Sequence, residues 1–263
     1  MTDTARRRPS PLSLAGMGAV LLLYLLYPFA SFLARTGRAE AATLADPRVR
    51  EAVLHSLATA PVATAVATVL GVPLAYTLSR NSFRGQRLVE ALVVLPLVLP
   101  PVVAGAMLLT GYGRFTLVGT LAASVGVRLT DSLVGVVLAQ TFVAAPFIVI
   151  TARAGFDGVD PRLERASRSM GHGPLVTFRH VSLPLARGAI FAGIVLTFAR
   201  AIGEFGATMM VAYNPRTMPT RIWVDFVTGG LDAVVPVALL LVAVGLGAII
   251  ATQLLDRRAG WRR

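Results

Sequence analysis

Long apolar runs, each closed by arginines or a polar turn, set the pattern of this chain. Stretches with no Asp, Glu, Lys or Arg cover 9–34, 52–79, 91–113, 132–152 and 233–255, and a sixth, 188–213, is broken only by Arg200 and Glu204. About 20 apolar residues in a helix cross the hydrocarbon core of a bilayer. The pattern therefore predicts an all-α membrane protein with six spans, at about 12–34, 53–79, 89–112, 132–153, 186–212 and 233–255, forming one transmembrane domain over 1–263.

Composition agrees. Of 263 residues, 55% are hydrophobic and 14% charged, where a soluble domain carries about 25% charged residues. The net charge is +12 and every one of the 25 Lys/Arg positions is Arg. These arginines sit at the ends of apolar runs and form no continuous basic face, so membrane topology accounts for them and nucleic acid does not. There is no Cys, which excludes a disulfide framework, a thiolate metal site and a Cys nucleophile. His55, His172 and His180 are too scattered for a His-rich metal site.

Arg6-Arg7-Arg8 before an apolar run, with Ala39-Glu40-Ala41 beyond it, has the outline of a signal peptide. The run is longer than the 7–15 residues of a signal h-region, so the expectation is an uncleaved first span. With the N-terminus inside, the inside segments hold 16 arginines and the outside segments 8, with Arg200 in a span. That bias puts both termini in the cytoplasm. The interruption at 157–184 then falls on the cytoplasmic side.

Several features lie within the spans. Ala63, Ala67 and Gly71, and Ala199, Gly203 and Ala207, recur four apart, as in faces where helix backbones approach closely. Such stripes suit helix packing, a dimer contact or a pore lining. Pro96, Pro100 and Pro101 crowd the third span, and carbonyls freed by proline must find partners in protein or in a watered path. A structural kink and a gate both fit. Arg200 and Glu204 stand four apart, placed to pair on one helical face. Charges at this depth are costly and turn toward a bundle interior or a water-filled path. A buried structural pair and a place in a translocation path are the two readings.

In the polar interruption, Asp160 is an N-cap, Pro161 a first helical residue and Gly171 a C′ residue, which predicts a helix of about ten residues. Leu163, Ala166, Ser167 and Met170 form its apolar or small stripe; Arg162, Arg165, Arg168 and Ser169 form the other face. Gly173-Pro174 begins a second short helix that runs to Pro184. A helix lying on lipid would need a wider apolar face; small residues suit close approach of a partner protein.

These residues resemble the cytoplasmic loop of binding-protein-dependent ABC importer permeases, whose pattern is Glu-Ala-Ala, three residues, Gly, nine residues, Ile-x-Leu-Pro. Here it stands as Glu164, Ala166-Ser167, Gly171 and Val181-Ser182-Leu183-Pro184. Arg165 is inserted after the Glu, Ser167 replaces the second Ala and Val181 replaces Ile. Phe198 to Thr208, with Arg200, Glu204-Phe205-Gly206-Ala207-Thr208, is similar to the fifth span of molybdate/tungstate and sulfate permeases, most of all the molybdate type. The resemblance covers about 50–255. Thr217-Met218-Pro219-Thr220-Arg221-Ile222 departs from the Thr-Leu-Pro and aliphatic segment often found there.

The resemblance implies the type I, MetI-like importer fold in the cell inner membrane, with 161–171 as a coupling helix. Two ATPase subunits would dock on Leu163, Glu164, Ala166, Ser167, Met170, Gly171 and Pro184. It also implies a second permease copy, commonly identical, and an extracytoplasmic oxyanion-binding protein meeting the outer loops 35–52, 111–131 and 214–232. Pro96, Pro100, Pro101, Arg200 and Glu204 become candidates for the path. The chain would bind no cofactor; ATP and Mg would belong to the ATPase. Sulfate or thiosulfate is the competing cargo, with thiamine or ferric iron further off. A secondary transporter or channel would carry more ionisable residues in its spans, and inverted repeats, of which none is visible.

A phosphate loop of the form Gly-x-x-x-x-Gly-Lys-Ser/Thr is impossible without Lys. The purified chain alone should hydrolyse no ATP above a vesicle blank in a phosphate-release assay; robust hydrolysis by a clean preparation would contradict this reading.

Overall fold

The computed structural model describes residues 11–35 and 46–258, which leaves Arg6–Arg8 and the cleavage-like Ala39–Ala41 outside the described residues. The described residues form helices and connecting turns with no strand. They are α1 (Pro11–Leu33), α2 (Pro47–Arg80), α3 (Gln86–Val98), α4 (Pro101–Tyr112), α5 (Leu117–Ser124), α6 (Leu133–Asp157), α7 (Pro161–Ser169), α8 (Pro174–Ile202), α9 (Gly206–Val211) and α10 (Met218–Arg258).

Caps fix where several of these helices begin. Asp46 accepts from the Arg48 N–H at 2.8 Å, Ser132 from the Gly135 N–H at 3.1 Å and Asp160 from the Arg162 N–H at 2.8 Å. Each satisfies a donor that the first helical turn leaves orphaned. Along α2 the hydroxyls of Thr59, Thr64 and Thr68 donate to carbonyls four residues back, at 2.8, 2.7 and 2.7 Å. Their polarity is absorbed by the helix itself, which suits an apolar surrounding.

Helices α2, α6 and α8 pack as the centre of the bundle. Its core is built largely from small side chains: Ala60, Ala63, Ala67, Ala75, Ala144, Ala152 and Ala201 are fully or almost fully buried. A Cβ at Gly71 would stand 2.9 Å from Ile148 Cγ2, and one at Gly155 would stand 2.6 Å from Ala189 Cβ. The helices therefore meet almost backbone to backbone, the close packing that replaces a hydrophobic driving force within lipid. Tyr76, Phe156 and Phe178 close one end of this centre, with ring centroids 4.8 to 6.0 Å apart. By contrast, α1 keeps its described side chains exposed, apart from a half-buried Phe32, and touches the body through an Arg35–Asp232 pair at 3.2 Å.

Among the described residues, five helices are long and apolar enough to cross a membrane, and α4 with α5, bent by 64°, supplies a sixth candidate. Five expectations about these elements need correction. The single helix at 89–112 is two, α3 and α4, because Pro100 and Pro101 end one and begin the next. The span at 186–212 stops at Ile202 and resumes at Gly206. The last helix starts at Met218, with a non-helical Gly230 (φ 72°) inside it, so much of 214–232 is helical and not loop. The loop at 111–131 likewise contains α5.

The second short helix does not end at Pro184 either. It runs straight into α8 through a π-helical stretch, Phe178–Ser182, where the Leu183 N–H donates to the Phe178 carbonyl. The widened turn accommodates a proline ring that would otherwise clash with the carbonyl four residues back. Gly171 does occupy the C′ position after α7, with φ +89°.

Gly193 sits where a Cβ would meet Thr151 Oγ1 and lie 2.8 Å from Ile148 Cδ1. Gly193→Val should destabilise the detergent-solubilised protein by about 1–3 kcal/mol through overpacking. Gly188→Ala, within the helix where nothing lies within 4 Å, should not lower the melting temperature, since Ala favours the helix over Gly.

Candidate docking face and membrane-depth site

At one end of the bundle α7 follows the end of α6 and lies against Arg80 at the end of α2. Leu163, Ala166, Met170 and Gly171 are exposed on it, Met170 at 70% and Leu163 at 48%. Leu175, at the start of α8, adds a third large apolar side chain at 75% exposure. Arg162, Arg165 and Arg168 are exposed around them, and so is Pro184. This is an apolar patch with a basic rim, presented by a rigid, capped helix.

Two of the expected docking residues are not on that surface. Glu164 and Ser167 are each 4% exposed and turn into the bundle. Ser167 Oγ lies 3.1 Å from Thr177 Oγ1 and 3.2 Å from His172 Nδ1, which closes α7 onto the start of α8. Glu164 Oε1 accepts from Arg80 Nε at 2.8 Å and from Ser182 Oγ at 2.7 Å. Arg80, the last residue of α2, also donates to the Val159 carbonyl at 2.9 Å. The helical pattern alone assigned Ser167 to the exposed stripe; the inward face is set by two polar residues three apart.

The second site lies at membrane depth, where α4 and α9 cross. A Cβ at Gly206 would stand 2.8 Å from Pro101 Cβ and 3.1 Å from Val102 N; one at Gly105 would stand 2.6 Å from Met210 Cβ. The break before Pro101 and the break before Gly206 therefore abut. Pro96 is buried near the end of α3, and Pro100 caps α4.

Glu204 stands in the gap between α8 and α9, 1% exposed. One carboxylate oxygen accepts from the Ala207 N–H at 2.8 Å, tying down the first turn of α9. The other pairs with Arg200 NH2 at 2.5 Å. The expected pair on one helical face thus exists as a pair across the end of a helix. Arg200 keeps 27% of its side chain exposed, on a side where Ala199 and Gly203 are uncovered. The second stripe therefore divides: Ala199 and Gly203 are free in this chain, while Ala207 is buried against α4. The stripe of α2 is buried throughout.

Sequence reasoning missed Arg80 as a site residue, because it read that residue only as a topological charge. It also missed Gln140, fully buried within α6 with neither amide atom hydrogen-bonded inside the chain. A lone Gln in a charge-free run was its available signal.

Comparison with known proteins adds three findings. Residues 67–261 match the family model described as the inner membrane component of binding-protein-dependent transport systems. The chain is 52% identical over 245 residues to a protein of Haloferax volcanii named a probable molybdenum ABC transporter permease, covering 91% of this chain and 88% of that one. It is 38% identical to the molybdate/tungstate transport system permease protein WtpB of Thermococcus kodakarensis, covering 93% and 95%. It is 35% identical to the molybdenum transport system permease protein ModB of Escherichia coli, covering 81% and 96%. In fold it is similar to a chain of a bacterial ABC transporter that imports the acidic polysaccharide alginate, with TM-score 0.75, 15% identity and coverage of 94% and 95%. A chain of the MetNI methionine ABC transporter gives TM-score 0.64 at 22% identity, covering 80% and 95%.

Removing one member of a buried ion pair leaves the other uncompensated. Glu204→Ala, which also strips the cap from α9, should lower stability by about 3 kcal/mol. Glu204→Gln, which keeps an acceptor for the Ala207 N–H, should cost measurably less. Thermal melts of the two variants in one detergent decide the order.

Proposed function

The chain belongs to the family of inner membrane components of binding-protein-dependent transport systems, and on that premise we propose that it is the membrane-spanning permease of an ABC importer for molybdate or tungstate. ATP is hydrolysed, with Mg, on a separate ATPase subunit. The assembly we propose holds two such ATPases, two copies of this chain and an oxyanion-binding protein on the outer side. Both termini then lie in the cytoplasm, as the arginine bias indicates.

The observation that carries this reading is the docking face. An apolar patch of Leu163, Met170 and Leu175 on a short helix capped at both ends is narrow for a helix lying on lipid, and suits insertion into a cleft of a soluble partner. Leu163, Ala166, Met170 and Gly171 make the contact in this proposal. Glu164 and Ser167 hold the helix from behind, and the exposed arginines favour an acidic rim on the ATPase.

The cargo reading rests on the kinship with molybdate and tungstate permeases and on the chemistry at Arg200. A guanidinium at membrane depth lowers the barrier for a dianion. Its pairing with Glu204 balances its charge until an anion arrives. The abutting breaks at Pro101 and Gly206 place irregular backbone at the same level, as in transporters whose paths run between discontinuous helices. Sulfate remains the competing cargo, being of the same shape and charge.

The test is uptake by the reconstituted complex of permease, ATPase and binding protein. Labelled molybdate should accumulate in an ATP-dependent manner, tungstate should compete, and a hundredfold excess of sulfate, about 2.7 kcal/mol of mass action at equal affinity, should not. Accumulation of sulfate that molybdate fails to inhibit would overturn the cargo assignment.

A further inference from the structure

We propose that Glu164 is a transmission residue and not a docking contact: with Arg80 it forms a buried ionic latch that fastens the docking helix to α2 and to the start of α8, so that movement of α7 drives both. The proposal rests on the importer reading above and deepens it.

The geometry is that of a latch. The Glu164 side chain is 5% exposed and that of Arg80 12%. The carboxylate receives Arg80 Nε from the end of α2 at 2.8 Å and Ser182 Oγ from the π-helical stretch of α8 at 2.7 Å, both on one oxygen. The other oxygen lies 3.9 Å from Arg168 NH2. Arg80 uses its remaining nitrogens on the Val159 carbonyl, at 2.9 Å, and on Ser79 Oγ, at 3.2 Å. Ser79 in turn donates to Asp157, the last residue of α6. Asp157 faces Arg153 at 3.8 Å, and Arg153 pairs with Glu90 of α3 at 3.0 Å. A single run of polar contacts therefore ties α3, α6, α2, α7 and α8 at the end where the partner docks.

A shallow docking helix has little else to transmit force with. Most of α7 faces outward, and its inward contacts are Glu164 and Ser167. Ser167 bonds near the loop and the first turn of α8, at His172 and Thr177. Among the described hydrogen bonds and ion pairs of α7, those that reach α2 are made by Glu164. Charge-assisted hydrogen bonds are directional and short, so they resist the sliding that an apolar contact permits. A push on α7 should thus move α2 and α8 as one body through Glu164.

The test uses the whole complex in proteoliposomes, with the chain's lack of Cys leaving ordinary labelling unobstructed. Glu164→Gln should keep its ATPase subunits on co-purification and keep hydrolysing ATP. Uptake per ATP and stimulation of hydrolysis by the loaded binding protein should each fall about tenfold, in the range of allosteric couplings. Arg80→Gln should do the same, and the double variant should be no worse than the worse single one, the signature of two residues acting as a unit. Leu163→Asp, on the outer face, should instead lose the ATPase subunits. Loss of ATPase subunits from a Glu164→Gln permease present at wild-type levels would overturn the proposal, as would wild-type uptake per ATP. If Glu164→Gln does not reach the membrane, Ser182→Ala decides: a two- to fivefold uncoupling, about what one hydrogen bond supplies, supports the latch and wild-type coupling rejects it. A wild-type complex that moves no molybdate refutes the cargo reading alone, since stimulation by the binding protein still reports the latch.

Discussion

Backbone inside hydrocarbon has no water to bond, so every N–H and C=O there must be satisfied by the protein. This constraint makes the described chain helical and decides what its helices can do when they stop. α4 and α9 begin within or beside apolar runs, where orphaned amides are expensive. The Ala207 amide is met by Glu204. The two breaks are placed against one another, with Gly206 on Pro101 and Gly105 on Ala207. A break facing lipid would leave those groups bare; two breaks facing each other shelter them. Two breaks in the apolar runs therefore meet in one place, and it is there that an ionic pair is tolerated.

The same constraint shifts the burden of cohesion from side-chain bulk to close approach. A core built on Ala60, Ala63, Ala67 and Gly71 buries little area per residue. It gains instead from dispersion between helices almost in backbone contact. Such packing has discrete fits, since a Cβ at Gly71, Gly155 or Gly193 has no room. Tightly fitted helices of this kind move as rigid bodies, which is the property a force-transmitting bundle needs. Ala199 and Gly203 have the same character and are exposed among the described residues; they lie near Arg200, so a small-residue face and the membrane-depth charge fall close together.

Periodicity made the spans, the caps of α7 and the C′ glycine legible, because hydrophobic length and cap chemistry are local properties. The resemblance at Glu164, Gly171 and Pro184 is what pointed to a docking role. What escaped was non-local. Pro100 and Pro101 announced a disturbance, but whether it is a kink or a full break depends on Gly206 lying opposite. The pairing of Arg200 with Glu204 was visible from spacing, whereas the end of the helix at Ile202 between them was not. Pro184 read as a stop, and a π-helical turn let the helix pass. Glu164 carried the strongest motif signal and the most misleading surface assignment, since its partner Arg80 lies 84 positions away in sequence and no period relates them.

That last case bears on why the motif holds an acid at all. A buried ion pair is weak evidence for stability, because desolvation offsets most of the Coulombic gain; an apolar pair of the same volume would often hold the fold as well. What an apolar pair lacks is direction. The carboxylate of Glu164 receives a guanidinium from one helix and a hydroxyl from another within 0.1 Å of the same distance, 2.8 and 2.7 Å, so rotating or sliding α7 breaks both bonds together. Moderate displacement is then cheaper if α2 and α8 follow than if they stay. The surrounding groups are placed to make that so: Arg80 closes α2 at the carbonyl end of its dipole, and Ser182 lies in the widened turn, where a helix can yield without breaking. An importer that must turn a push at its surface into a tilt of its spans needs that asymmetry between moving together and moving apart, and a neutral contact would supply it less steeply.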